Sequence, residues 1–153
     1  MKKIWVFFIS FFILLAFSSQ NLLGQDITLK QTLTYLNGKF QGTYILDINK
    51  GNLIVDCFKN GTKYRQDKVF LGDLDPRSVE YVIAENGIRI KCLSEKEECI
   101  SRKIYSPETK GYYGRILFII NADDKAINGI KKAFIHMIKL IQDSSYNSSE
   151  PFE

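Results

Sequence analysis

Apolar residues fall at Leu29, Leu33, Leu36 and Phe40, three or four positions apart, and the spacing predicts an amphipathic helix over residues 28–40. Asp26 or Thr28 is placed to cap its start, and Asn37-Gly38 can stop it early. The period then changes to two. Alternating runs at 43–48, 53–59, 62–71, 79–85, 88–93, 99–105 and 114–120 predict about seven strands. Their short connections favour an antiparallel meander. The Gly- and Pro-containing stretch 72–77 ends the third run, and 106–111 is predicted as a loop.

Asn-Gly pairs set the expected registers. Asn60-Gly61, read as a type I′ turn, pairs Cys57 with Tyr64 and Asp56 with Arg65. Asn86-Gly87, read the same way, sets Glu85 opposite Ile88, Ile83 opposite Ile90 and Tyr81 opposite Cys92. Val79, Tyr81 and Ile83 then share an apolar face with Ile88, Ile90 and Cys92, leaving Glu80, Arg89 and Lys91 on the other. A second helix follows. Ala126, Ile127, Ile130, Ala133, Phe134, Met137, Ile138, Leu140 and Ile141 share one arc of it, at about 100° per residue. Lys125, Asn128, Lys132, His136, Lys139 and Gln142 share the opposite arc, and Ile135 is the misfit. Asn121 or Asp123 can cap this helix, and residues 144–153 read as a flexible polar tail.

Ahead of all this, Lys2 and Lys3 precede an apolar run of 14 residues, 4–17, interrupted only by Ser10. Ser18, Ser19, Gln20 and Asn21 follow, which is the layout of a secretory signal peptide. The run is shorter than the roughly 18–20 residues a membrane-spanning helix needs, so a cleaved signal is expected; an uncleaved anchor, with Leu22 and Leu23 extending the run, is the alternative. Cleavage after Gly24 is expected, with Ser18 and Ser19 as alternatives. That predicts an exported protein, periplasmic or secreted, with no stable membrane insertion afterwards. A single globular α+β domain would span residues 25–143. Residues 1–24 carry two of the 21 Lys and Arg and none of the 17 Asp and Glu, so their loss takes the net charge from +4 to +2. No concentrated basic stripe remains, which argues against nucleic acid as a partner.

Candidate chemistry is sparse. The chain contains no G-x-G-x-x-G, Walker A, G-x-S-x-G or H-E-x-x-H pattern. No catalytic, cofactor-binding or metal-ligating residue is assigned, and a non-enzymatic role is expected. His136, the single His, reads as a surface residue. Asp73 and Asp75 read as turn caps, and Asp123 and Asp124 as helix N-terminal charges. Cys92 and Cys99 flank a predicted hairpin end and are a candidate disulfide; the alternative is three buried thiols, Cys57 included. Tyr112 and Tyr113, adjacent aromatics expected in a loop between Gly111 and Gly114, are the leading candidates for a binding surface. Lys132 and Lys139 on the polar face of the last helix join them.

The order of helix, antiparallel strands and closing helix is similar to a pleckstrin-homology-like barrel, so a barrel of that kind or a strongly curved sheet is expected, with a helix-grip fold as the alternative. Leu71-Gly72-Asp73-Leu74-Asp75-Pro76-Arg77-Ser78-Val79 and Lys131-Lys132-Ala133-Phe134-Ile135-His136-Met137-Ile138-Lys139-Leu140-Ile141 resemble segments of an uncharacterised family of small exported bacterial domains. That family has no assigned activity, so the resemblance carries over no functional residue. The expected function is a binding or interaction module of unknown protein partner. A carrier of a small apolar ligand, held behind Phe134, Met137 and Ile141, is the alternative.

Overall fold

The structure, a computed structural model, describes residues 28–147, with side chains to residue 144. The expected leader and its cleavage point lie outside the described residues. Helix α1 (Leu29–Phe40) begins with a reciprocal capping box. The Gln31 N–H donates to Thr28 Oγ1 at 3.2 Å, and the Thr28 N–H donates to Gln31 Oε1 at 2.8 Å. Thr28 is therefore the cap. Asn37-Gly38 does not stop the helix, which runs on to Phe40 and ends with Gln41 in the left-handed region, φ 48°.

Eight antiparallel strands follow, one more than the periodicity predicts. β1 (Tyr44–Asn49), β2 (Asn52–Lys59), β3 (Thr62–Phe70), β6 (Ile100–Tyr105) and β7 (Glu108–Tyr113) form one sheet in the order β1-β2-β3-β6-β7. β4 (Glu80–Val82), β5 (Gly87–Lys91) and β8 (Arg115–Ile119) form a second, in the order β4-β5-β8. The extra strand is β7, which occupies most of the predicted 106–111 loop; a turn at Ser106-Pro107 folds it back along β6. The sheets do not close into a barrel. No ladder joins β1 to β8 among the described residues; the seam is crossed instead by the Ile119 N–H donating to Tyr44 Oη at 2.9 Å.

Both expected hairpins form, and both registers differ from expectation. At Asn60-Gly61 both residues have positive φ, 52° and 73°, as the turn requires. A β-bulge then shifts the ladder between Cys57 and Phe58, so Cys57 faces Arg65 and Asp56 faces Gln66. At the second hairpin, Ile83–Glu85 winds into a 3₁₀ turn and the ladder pairs Val82 with Gly87 and Tyr81 with Ile88. Ile83, expected inside, is 85% exposed. Gly87 belongs to the ladder with β8 and not to the turn: a Cβ there would lie 2.7 Å from the Phe118 carbonyl oxygen.

Helix α2 (Asp124–Asn147) covers the core, four residues into the expected tail. Asp123 caps it by accepting from the Ala126 N–H at 2.7 Å. Its Phe134 stacks on Phe118 with centroids 4.8 Å apart, and Phe118 meets Phe40 and Tyr44, each at 5.3 Å. These four rings, from both helices and both sheets, form the centre of the core. Gln142, expected on the solvent arc, instead donates to the Gly72 and Leu74 carbonyls at 3.2 and 2.9 Å and ties α2 to the turns after β3.

Asn37 closes the β1 edge. Its amide donates to the Leu46 carbonyl at 2.9 Å and accepts from the Leu46 N–H at 2.8 Å, as a neighbouring strand would. Asn37→Ala leaves both backbone groups without this partner. It should destabilise the fold by about 1–3 kcal/mol, read as a lower urea midpoint at unchanged slope.

Candidate functional site

The β3 bulge decides which side chains of a polar strand turn inward. Lys63 to Lys68 has no apolar alternation of its own. Without the bulge Tyr64, Gln66 and Lys68 would face the core; with it Arg65, Asp67 and Val69 do, and Tyr64 is exposed. Asp67 is 0% exposed. Directly across the ladder, Arg102 donates to it through two nitrogens, at 2.6 and 2.9 Å. Arg65 Nε lies 3.4 Å from Asp67 Oδ2 and donates to Cys57 Sγ at 3.3 Å. Burial opposes the Arg65 charge, but the neighbouring Asp67 and Cys57 outweigh it and hold its pKa above the usual guanidinium value. Burial pushes the Cys57 thiol pKa up, so the thiol is a poor nucleophile.

Tyr113 covers this cluster. Its ring centroid is 4.4 Å from the Arg102 guanidinium carbon, a cation–π contact. The ring reaches there across Gly111, where a Cβ would stand 3.3 Å from Tyr113 Cε2. Tyr112 points to the opposite face, across from Ser101, and is 59% exposed. The two tyrosines thus stand on strand β7, not in a loop.

β7 is the outer strand of the large sheet. The other edges are blunted in ways that proteins commonly use. Asn37 and α1 cover β1, and Asp47 Oδ1 accepts the next outward N–H, that of Ile48, at 2.8 Å. β4 has three residues, and Tyr44 takes the Ile119 N–H of β8. Among the described residues, β7 has β6 on one side and no strand on the other. It carries no proline and no bulge along its six residues, and every one but Gly111 is exposed.

The lysine candidates lie elsewhere. Lys132 lines an open groove of about 650 Å³ between α1 and α2, with Lys39, Lys125 and Tyr35. Gly129 gives Tyr35 Oη room against the α2 backbone. Lys139 is exposed further along α2 and lines neither this groove nor a second one, of about 490 Å³, at the β1–β8 seam. The structure does not bring Lys132 and Lys139 together with Tyr112 and Tyr113. Phe134 and Met137 are fully buried, and neither groove reaches them. His136 is half-buried on α2. Asp75 caps the turn at Pro76–Ser78, accepting from the Arg77 N–H at 2.9 Å, and Asp73 lies 3.6 Å from Lys96. Cys92 and Cys99 are bonded, with Cα atoms 5.9 Å apart, and close the Ser94–Lys96 turn just ahead of β6 in the chain. Among the described residues no group of three or more His, Cys, Asp or Glu could hold a metal ion, and no helix is long and apolar enough to cross a membrane.

Arg65, Asp67 and Arg102 were not legible as a site. Their signal is long-range: a carboxylate on one strand and a guanidinium 35 residues later. Compared with protein-family models, curated proteins and solved structures, the chain finds no match.

Arg102→Met removes the main partner of a fully buried carboxylate. It should cost about 3–5 kcal/mol in urea unfolding. Cys57 should resist alkylation in the folded protein and label fully once unfolded, as mass spectrometry of iodoacetamide-treated samples would show.

Proposed function

We propose that this protein is an exported, non-enzymatic interaction module that takes its partner along the free edge of β7, beside Tyr112 and Tyr113. One observation carries the reading: among the described residues three sheet edges are blunted or covered, and the six residues of β7 are left open on one side. Unpaired backbone groups on such an edge supply affinity by strand addition, and flanking side chains supply specificity. Exposed tyrosines suit that task because they offer large rigid area at low entropic cost. The buried Asp67 and its two arginines tie β3 to β6, and Arg102 in turn holds the Tyr113 ring of β7 by its cation–π contact. The tightly filled Phe118–Phe134 core supports binding at the surface over carriage of an apolar ligand.

The leader-like start supports export to the periplasm or beyond. The layout fits a pleckstrin-homology-like barrel opened along the β1–β8 seam and covered by α2, and the two segments noted above fit an exported bacterial family of that kind. Fold likeness of this sort does not assign a partner.

A photo-crosslinking residue placed at Tyr112 should capture a partner in the producing cell, and one placed at Lys139 should not. Equal capture at both positions, or none at Tyr112, would sink the reading. Tyr112→Ser should shift stability by no more than about 0.5 kcal/mol, because the side chain is exposed. Tyr113→Ser should cost about 0.5–1 kcal/mol through its lost contact with Arg102.

A further inference from the structure

The free edge of β7 is complementary to itself. We propose that its occupant is a second copy of this chain, the two β7 strands pairing antiparallel about a two-fold axis at Gly111. Two five-stranded sheets would then become one continuous sheet. This rests on the reading of β7 as the docking edge and names the partner.

The register is narrowly constrained. Residues directly opposite in an antiparallel pair point to the same face. If the two sheets continue one another, opposite positions are therefore both odd or both even, and a residue lies on the axis. With Lys110 on the axis, two ammonium groups stand opposite each other, which is destabilising. With Thr109 on the axis, Glu108 faces the partner's Lys110, but the Ser106-Pro107 turn limits pairing to residues 108–110. With Tyr112 on the axis, the strand end limits pairing to residues 111–113. With Gly111 on the axis, residues 109–113 all pair and no like charges meet.

That register also matches side chains. On the outer face, Lys110 lies opposite the partner's Tyr112, and the contact occurs twice. Both side chains are exposed, and an ammonium beside a tyrosine ring is a favourable pair. On the inner face, Thr109 lies opposite the partner's Tyr113. Gly111 brings no side chain to the axis, so each copy keeps its Tyr113 ring over its own Gly111 and Arg102. β7 carries one Glu and one Lys, so its edge has no net charge to repel a copy of itself.

The test is sedimentation velocity of the purified protein over a wide concentration range, with two substitutions at one site. Tyr112→Lys sets like charges opposite each other twice and should weaken the dimer about tenfold or more. Tyr112→Glu sets a carboxylate opposite each Lys110 and should preserve it. Both variants should melt like the wild type at concentrations where all are monomeric. A monomer at every concentration would overturn the proposal, as would a dimer indifferent to Tyr112→Lys or one lost equally in both variants. Crosslinking from Tyr112 then separates the two failures. Capture of a different protein by a monomeric chain retains β7 as the docking edge and rejects the second copy, whereas no capture rejects both.

Discussion

A carboxylate sealed from water cannot be left without partners, and Asp67 is such a carboxylate. Its main partner, Arg102, lies 35 residues away and directly opposite in the β3–β6 ladder. That ladder joins the β1-β2-β3 meander to the β6-β7 hairpin, two parts with no short connection between them. Shifting β3 by one residue would bury Gln66 and Lys68 and expose Val69. The bulge after Asn60-Gly61 and the Asp67–Arg102 pair therefore act together. One sets the parity of β3, and the other makes the opposite parity costly.

The same pair explains what was legible in the sequence. Both helices could be read because their apolar spacing is strong, and α2 buries Phe134, Met137 and Ile138 as its wheel requires. Turn positions were also legible: Asn60-Gly61 adopts the positive φ values its residue types favour. Registers were not. Tyr64-Arg65-Gln66-Asp67-Lys68 is polar on both faces, so its own pattern does not say which face turns inward; a bulge and a distant arginine do. Gly87 looked like half of a turn, yet its missing side chain serves the approach of β8.

β7 escaped the periodicity for a related reason. Thr109, Lys110, Tyr112 and Tyr113 are exposed on both faces of the strand, so no alternation marks it. The adjacent tyrosines are legible as a surface feature. The cluster beneath Tyr113 is not, because Arg65, Asp67 and Arg102 look like ordinary solvated charges until the fold brings them together. Gln142 is the corresponding case on α2, a polar residue on the polar arc that the fold turns into a clasp on the Gly72 and Leu74 carbonyls.

Asn37 has a consequence for the geometry of growth. A sheet with two receptive ends can add strands indefinitely, which is the architecture of a fibre. Here one end is terminated by a side-chain amide that imitates a strand but offers no further edge. The cap precedes β1 in the chain, so it is synthesised before the edge it terminates. Whatever strand meets the other end, the sheet can extend in one direction only. An assembly made by joining such sheets through β7 is complete once two free ends have met.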